Sequence, residues 1–135
     1  MRYTLDTNAV TALLKQNPNV LGKLRDTLRD GHDLVLNGIC YYETKRGLVP
    51  GVHDRKLKLF DALCERHGIL PLDTEVLDEA ADLYRQLRGR GELIEDADIL
   101  VAASAVTHSC ILVSRNTKHL SRISALQLEN WQDDA

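Results

Sequence analysis

Short apolar runs that alternate with longer segments of helical periodicity constrain the fold of this chain more than any other feature. The runs Leu34–Leu36 and Cys110–Val113 lie between polar residues and have the length of buried strands. Segments such as 54–67 and 94–108 instead repeat their apolar residues at the spacing of a helix. Such alternation is typical of βα units, whose right-handed crossovers build a mainly parallel sheet covered on both faces. The sequence therefore predicts an α/β protein, a three-layer α/β/α sandwich.

The same patterns, with Gly and Pro as breakers, set the remaining elements. Strands are predicted at residues 1–5, 34–36, 69–70, 110–113 and 126–128. Helices are predicted at residues 9–14, 20–30, 39–47, 54–67, 74–90 and 94–108, and a short one opens within 114–117. Because the sequence shows no internal repeat, linker or low-complexity tract, we expect one domain spanning residues 1–135.

Composition restricts the class of protein. The 17 Lys and Arg against 20 Asp and Glu give a net charge of −3, which argues against binding nucleic acid through a broad positive field. A nuclease with clustered carboxylates and a local basic rim remains compatible with this charge. The 3 cysteines lack CxxC spacing and are expected to be free thiols in a reducing compartment. With no apolar run of membrane-spanning length and no signal peptide, we expect a soluble, cytoplasmic protein.

Three acidic residues from distant parts of the chain are predicted to meet at one edge of the sheet. Asp6 follows the first strand, Glu43 lies one turn into the helix after the second strand, and Asp98 lies near the start of the apolar helix. The carboxyl ends of parallel strands are where such sheets bind ligands. Three carboxylates in one cleft repel one another unless protons or a cation intervene, and their hard oxygens suit Mg²⁺ or Mn²⁺.

Asp96 competes with Asp98 for the third position. Residues two apart on a helix point in different directions, so both cannot face one site. Asp98 is flanked by the apolar Ile99 and Leu100, where a charge needs a partner. Asp96 could instead be a solvated N-cap or support the site from behind, and we favour Asp98.

Four motifs in register resemble those of PIN-domain ribonucleases, and within that family the VapC-type toxins of bacterial toxin–antitoxin pairs. They are Leu5-Asp6-Thr7-Asn8, the segment 39–47 around Glu43, the run 98–105 that begins with Asp98, and the segment 112–120 with its closing 128–131. The resemblance covers nearly the whole chain in the expected order.

This resemblance implies an endoribonuclease that depends on Mg²⁺ or Mn²⁺, with Asp6, Glu43 and Asp98 as its acidic set. It also implies a homodimer, a small DNA-binding antitoxin as partner, and RNA as substrate, including structured RNA such as tRNA or rRNA. Many relatives carry a fourth acid where this chain has Asn116. Asn116 and Asp96 are therefore secondary candidates for metal binding.

The mechanism that we expect gives Asp6 and Asp98 direct contact with the ion, while Glu43 binds through water or orients the nucleophile. Other side chains near the same edge could contact the phosphate or fix the acids. These candidates are Thr7, Asn8 and Ser114 among the polar residues, and Lys45, Arg46 and Arg115 among the basic ones.

Two other functions are compatible with parts of the pattern. A Mg²⁺ phosphatase of the haloacid-dehalogenase type also places an Asp after its first strand, but its second Asp would stand at Asn8. A PIN-like module that binds RNA or protein without cutting is the other alternative, and retention of all three acids argues against it. The 5 histidines are too scattered for a zinc site.

Overall fold

The computed structural model describes residues 1–133, in which five strands alternate with seven helices. The strands are β1 (Arg2–Leu5), β2 (Asp33–Asn37), β3 (Ile69–Leu70), β4 (Cys110–Val113) and β5 (Gln127–Glu129). The helices are α1 (Thr7–Leu14), α2 (Pro18–Arg29), α3 (Gly38–Gly47), α4 (Asp54–His67), α5 (Thr74–Gly89), α6 (Asp96–Thr107) and α7 (Thr117–Leu120).

The strands form one parallel sheet in the order β3-β2-β1-β4-β5. The chain builds outward from β1 through β2 to β3, and then returns to place β4 on the other side of β1. Leu5 is paired with Val113 where β1 and β4 end together. The order reverses between these two strands, and open α/β sheets bind ligands at such a switch point.

Alternating residues of the central strands feed two separate cores, one on each face of the sheet. Leu34 and Leu36 pack with α1, α2 and α4, whereas Val35 between them packs with α5 and α6. In β4, Leu112 and Val113 divide in the same way. Since successive strand side chains point to opposite faces, this division is what a sheet covered on both sides requires. The predicted three-layer α/β/α architecture is confirmed.

Four helix starts differ from the predicted ones by more than one residue, and at two of them a capping side chain sets the boundary. Helix α1 already begins at Thr7, since the Asp6 side chain caps it, and α2 begins at Pro18 under an Asn17 cap. Helix α6 begins at Asp96 instead of residue 94. The short helix α7 begins only at Thr117, so residues 114–116 form a loop after β4.

Among the helices of residues 1–133, none combines the length and hydrophobicity that a bilayer crossing requires. The single domain predicted for residues 1–135 stays a prediction, and its last two residues lie outside the described part of the chain.

Candidate active site

Asp6 is the most buried acid of the site, with 8% of its surface exposed. It follows β1 directly, and its Oδ1 accepts a hydrogen bond of 2.8 Å from the backbone N–H of Ala9, which caps α1. Its Oδ2 accepts a bond of 2.5 Å from the hydroxyl of Ser114, just after β4. Burial raises the pKa of Asp6, and the charges of Asp98 and Glu43 raise it further, while the two hydrogen bonds oppose the shift.

Glu43 is positioned by a buried asparagine at the end of β2. Asn37 accepts a bond of 2.9 Å from the backbone N–H of Cys40 and so caps α3, the helix that carries Glu43. The same side chain donates to the carbonyl oxygen of Leu5 at 2.9 Å, which ties this cap to the end of β1. Glu43 Oε1 in turn accepts a bond of 2.5 Å from the hydroxyl of Thr7. Two links therefore fix the position of Glu43 relative to Asp6: the Asn37 cap, which is bonded to the end of β1, and the hydrogen bond from Thr7.

Asp98 lies in the first turn of α6 and is half-buried. Its Oδ2 accepts a hydrogen bond of 3.1 Å from the side-chain amide of Asn116. Burial raises the pKa of Asp98, and the charges of Glu95 and Glu43 add to this, whereas His119 and the Asn116 hydrogen bond lower it. A carboxylate close to two other acids is repelled by their negative charges, and a bound cation would reduce this repulsion.

These acids line one cleft of about 600 Å³ at the switch point. Of the predicted site residues, six lie in its wall: Asp6, Thr7, Asn8, Glu43, Asp98 and Asn116. Ser114 is buried behind the cleft wall and contacts two of its residues, Asp6 and Asn116, through its hydroxyl. Asp96 is exposed on α6 and is absent from the wall, as expected for a residue two positions from Asp98.

The predicted basic contacts all lie outside this wall. Lys45 pairs with Asp61 at 2.5 Å, and Arg46 lies 3.7 Å from Glu43. Arg115 pairs with Asp133 at 3.4 Å and faces a neighbouring groove. Lys45 is turned toward Asp61 of α4, whereas Arg46, three positions after Glu43, lies on the same side of α3 as that acid. Their roles in phosphate binding stay predictions.

Six residues of the cleft wall were not among the predicted site residues, and two of these six carry titratable side chains. Glu95 stands one position before α6, and His119 lies in α7. Both follow from helix boundaries, since a helix that begins at Asp96 leaves Glu95 at its N-cap position, on the cleft side. His119 is three positions after Asn116, which is one helical turn.

The cleft presents oxygen donors to a metal ion. Within residues 1–133, no three Asp, Glu, His or Cys side chains come close enough to form a closed ligand set. Two of the acids form hydrogen bonds with neutral side chains, Glu43 with Thr7 and Asp98 with Asn116. The available donors are nevertheless oxygens, and Mg²⁺ typically binds through one or two carboxylates and several waters. The residues present fit such an ion.

The fold and this cleft define a class of protein: a parallel α/β domain with clustered acids at its switch point, the arrangement of a nuclease-like site. The PIN domain profile matches residues 3–126. The chain belongs to the PIN domain family.

Curated and solved relatives agree with this assignment. The chain is 26% identical over 132 residues to "Ribonuclease VapC1" of Haemophilus influenzae (strain R2866), covering 97% of this chain and 98% of the relative. The structure of VapBC-1 from nontypeable Haemophilus influenzae superimposes with a TM-score of 0.84 at 25% identity, over 98% of this chain and 100% of the other. VapBC2 from Rickettsia felis, bound to a promoter DNA fragment, has a TM-score of 0.85 at 24% identity, over 97% and 99% of the two chains.

Proposed function

We propose that this protein is an endoribonuclease dependent on Mg²⁺ or Mn²⁺ and the toxin of a toxin–antitoxin pair. The observation that carries the proposal is the convergence of Asp6, Glu43 and Asp98 on one cleft, where burial and mutual repulsion raise the pKa values of Asp6 and Asp98. Structural carboxylates are seldom arranged in this way, whereas phosphodiester hydrolysis uses it. The ribonuclease name of the relative that matches along nearly its whole length supports the same reaction.

Asp6 and Asp98 are the residues that we propose to bind the ion directly, and Glu43 acts through water. A divalent ion in this position supplies a Lewis acid and lowers the pKa of a bound water. The Thr7 hydroxyl donates a hydrogen bond to Glu43 and fixes the orientation of that carboxylate. The side-chain amide of Asn8, which is exposed at the cleft, can donate a hydrogen bond to a phosphate oxygen.

Asn116 acts in this proposal as a positioning residue for Asp98. Its amide nitrogen donates to Oδ2, which leaves Oδ1 of Asp98 open toward the cleft. A neutral amide here carries one negative charge fewer than an acid at the same position would. We therefore propose that the site binds one ion more tightly than a second.

The alternatives gain less support. A phosphatase of the haloacid-dehalogenase type needs an acid at Asn8, and an amide at that position neither takes up nor delivers a proton. A non-catalytic PIN-like module would not require three mutually repelling acids in one cleft.

The partners follow from the same assignment. We propose RNA as substrate, including structured RNA such as tRNA or rRNA, a small antitoxin as inhibitor, and a homodimer as the assembly. The buried Cys40, whose pKa burial raises to about 12, and the buried Cys110 are free thiols, which suits action in the cytoplasm.

The experiment is cleavage of structured RNA by the purified protein with Mg²⁺, with Mn²⁺ and with EDTA. We expect metal-dependent internal cuts that Asp6→Asn abolishes and Asp26→Asn, on an exposed face of α2, retains. Release of phosphate from a monoester would favour the phosphatase, and RNA binding without cleavage would favour the module. Normal cleavage by Asp6→Asn would overturn the assignment of the site.

A further inference from the structure

The acidic cleft offers no Lys or Arg among its lining residues, although a nuclease must hold a polyanion. Its cationic contacts must therefore come from an adjacent surface. Two depressions lead away from the cleft along α1, and the first of them borders the cleft directly. The first shares Thr7 and Glu43 with the cleft and also contains Lys56.

The second depression continues from the first, because both contain Leu14 and Lys56. It adds Lys15 and Arg55. The path from the cleft thus ends among three cations. We name Lys15, Arg55 and Lys56 the α1–α4 basic cluster.

The exposed face of α1 connects the cleft to this cluster. Asn8 and Thr11 are the exposed positions of α1, the exposed Lys15 is its C-cap, and their spacing places all three on one side. Each can donate a hydrogen bond, and none is apolar. At about 1.5 Å per residue, the rise from Asn8 to Lys15 carries this polar face roughly 10 Å away from the cleft.

No ion pair within the described residues accounts for the position of these three cations. Within residues 1–133, none of the ion pairs involves Lys15, Arg55 or Lys56. Arg55 and Lys56 also lie in the first turn of α4, where the helix dipole disfavours positive charge. Their placement therefore costs helix stability, and an anionic ligand would compensate for it.

We propose that the RNA strand leaves the acidic cleft along the exposed face of α1 and that the α1–α4 basic cluster binds the phosphates of its flanking nucleotides. The inference rests on the proposed ribonuclease activity and adds to it the direction of the bound strand. Phosphate contacts of this kind fix the register of the strand and carry no base specificity.

The test measures binding of fluorescent single-stranded RNA in EDTA, so that binding is read without cleavage. Lys15→Gln and Lys56→Gln should each weaken binding about fivefold, the upper range for an exposed charge contact. Each should also lower the slope of log affinity against log salt by about 0.7, the value for one phosphate of a single strand. Lys58→Gln is the matched control, since Lys58 is exposed on the same helix and lines neither depression.

Cleavage assays then locate the contact along the strand. With the metal present, Lys15→Gln and Lys56→Gln should raise KM for a long oligonucleotide and leave the rate on a dinucleotide unchanged. Equal losses on both substrates, or a loss in Lys58→Gln as large as in Lys56→Gln, would overturn the proposed path. So would unchanged RNA affinity together with lost binding of poly-glutamate, which would assign the cluster to an acidic protein segment.

The two proposals fail in different ways. If the protein binds RNA through Lys15 and Lys56 but cuts none, the proposed activity is wrong and the path stands. If it cuts RNA with no contribution from these lysines, only the path is wrong. If it binds no RNA at all, both are wrong.

Discussion

The hydroxyl of Ser114 donates a hydrogen bond of 2.5 Å to Oδ2 of Asp6, although 108 residues separate them in the chain. The two residues follow β4 and β1, the adjacent strands at which the order of the sheet reverses. Ser114 also accepts a bond of 3.0 Å from the backbone N–H of Asn116. One buried hydroxyl thus connects the most buried acid to the loop that positions Asp98.

Removing this hydroxyl should impair cleavage without unfolding the protein. The Ser114 hydrogen bond lowers the pKa of Asp6, so Ser114→Ala should raise that pKa and move the acidic limb of the pH–rate profile to higher pH. We expect activity to fall by about tenfold, as for other groups that orient a metal ligand. Ser121→Ala is the control, because that exposed serine contacts only the Lys118 carbonyl in α7. A uniform fall at all pH values would contradict the role in setting the pKa of Asp6.

Asp6→Asn should abolish cleavage and stabilise the fold at neutral pH. The loss of rate should be at least about 100-fold, since a bound metal ion contributes several kcal/mol to the transition state. Because burial raises the pKa of Asp6 above its unfolded value, the folded protein binds the proton more tightly. Its free energy of unfolding therefore falls as pH rises from the ordinary value of 3.8 through the raised pKa. Asparagine has no such dependence and still caps α1.

Urea unfolding in EDTA at neutral and at acidic pH checks this expectation. The midpoint difference between Asp6→Asn and the unmodified protein should be largest at neutral pH and should shrink below pH 3.8. Asp26→Asn, which removes an exposed acid, should show little difference at either pH. A destabilised Asp6→Asn at neutral pH would mean that its hydrogen bonds outweigh its burial.

A metal ion should stabilise the protein through Asp98 and not through Asp96. Mg²⁺ or Mn²⁺ at about a hundredfold excess over its Kd should add about 2.7 kcal/mol by mass action. Asp98→Asn should lose most of the increase in melting temperature, because it removes a proposed ligand. Asp96→Asn has the same change of charge in the same helical turn but lies outside the cleft, and it should retain the increase. The opposite result would exchange the roles of the two residues.

Hydrophobic periodicity was sufficient to predict the architecture. The apolar runs at 34–36 and 110–113 are buried central strands, and the apolar helix before β4 packs against the sheet on one side and α5 on the other. The resemblance in the four motifs likewise selected the PIN domain family, which the profile match confirms. Element bounds were less predictable, because a cap such as Asp6 or Asn17 extends a helix beyond its apolar pattern.

The walls of the cleft could be predicted only in part. The acids could be predicted to lie near the cleft because they stand at strand ends and helix starts. The orientation of Lys45 could not be predicted, because it depends on Asp61 of another helix, which pairs with it at 2.5 Å. The α1–α4 basic cluster could not be predicted for the same reason, since only the packing of α4 against α1 brings Arg55 and Lys56 near Lys15. Contacts between distant segments leave no local periodic signal.

Replacing Asn37 should lower the free energy of unfolding by more than the loss of a helix cap alone. It is fully buried, caps α3, and donates to Thr4 Oγ1 at 3.1 Å and to the Leu5 carbonyl at 2.9 Å. Asn37→Ala should reduce the free energy of unfolding by about 2–4 kcal/mol, because it leaves these buried groups without partners. Asn17→Ala removes a more exposed cap of α2 and should cost about 1 kcal/mol. Urea unfolding measures both, and equal costs would mean that the bonds from Asn37 to β1 contribute little. Since the same bonds hold α3 against the end of β1, the surviving folded fraction of Asn37→Ala should also cleave RNA more slowly than that of Asn17→Ala.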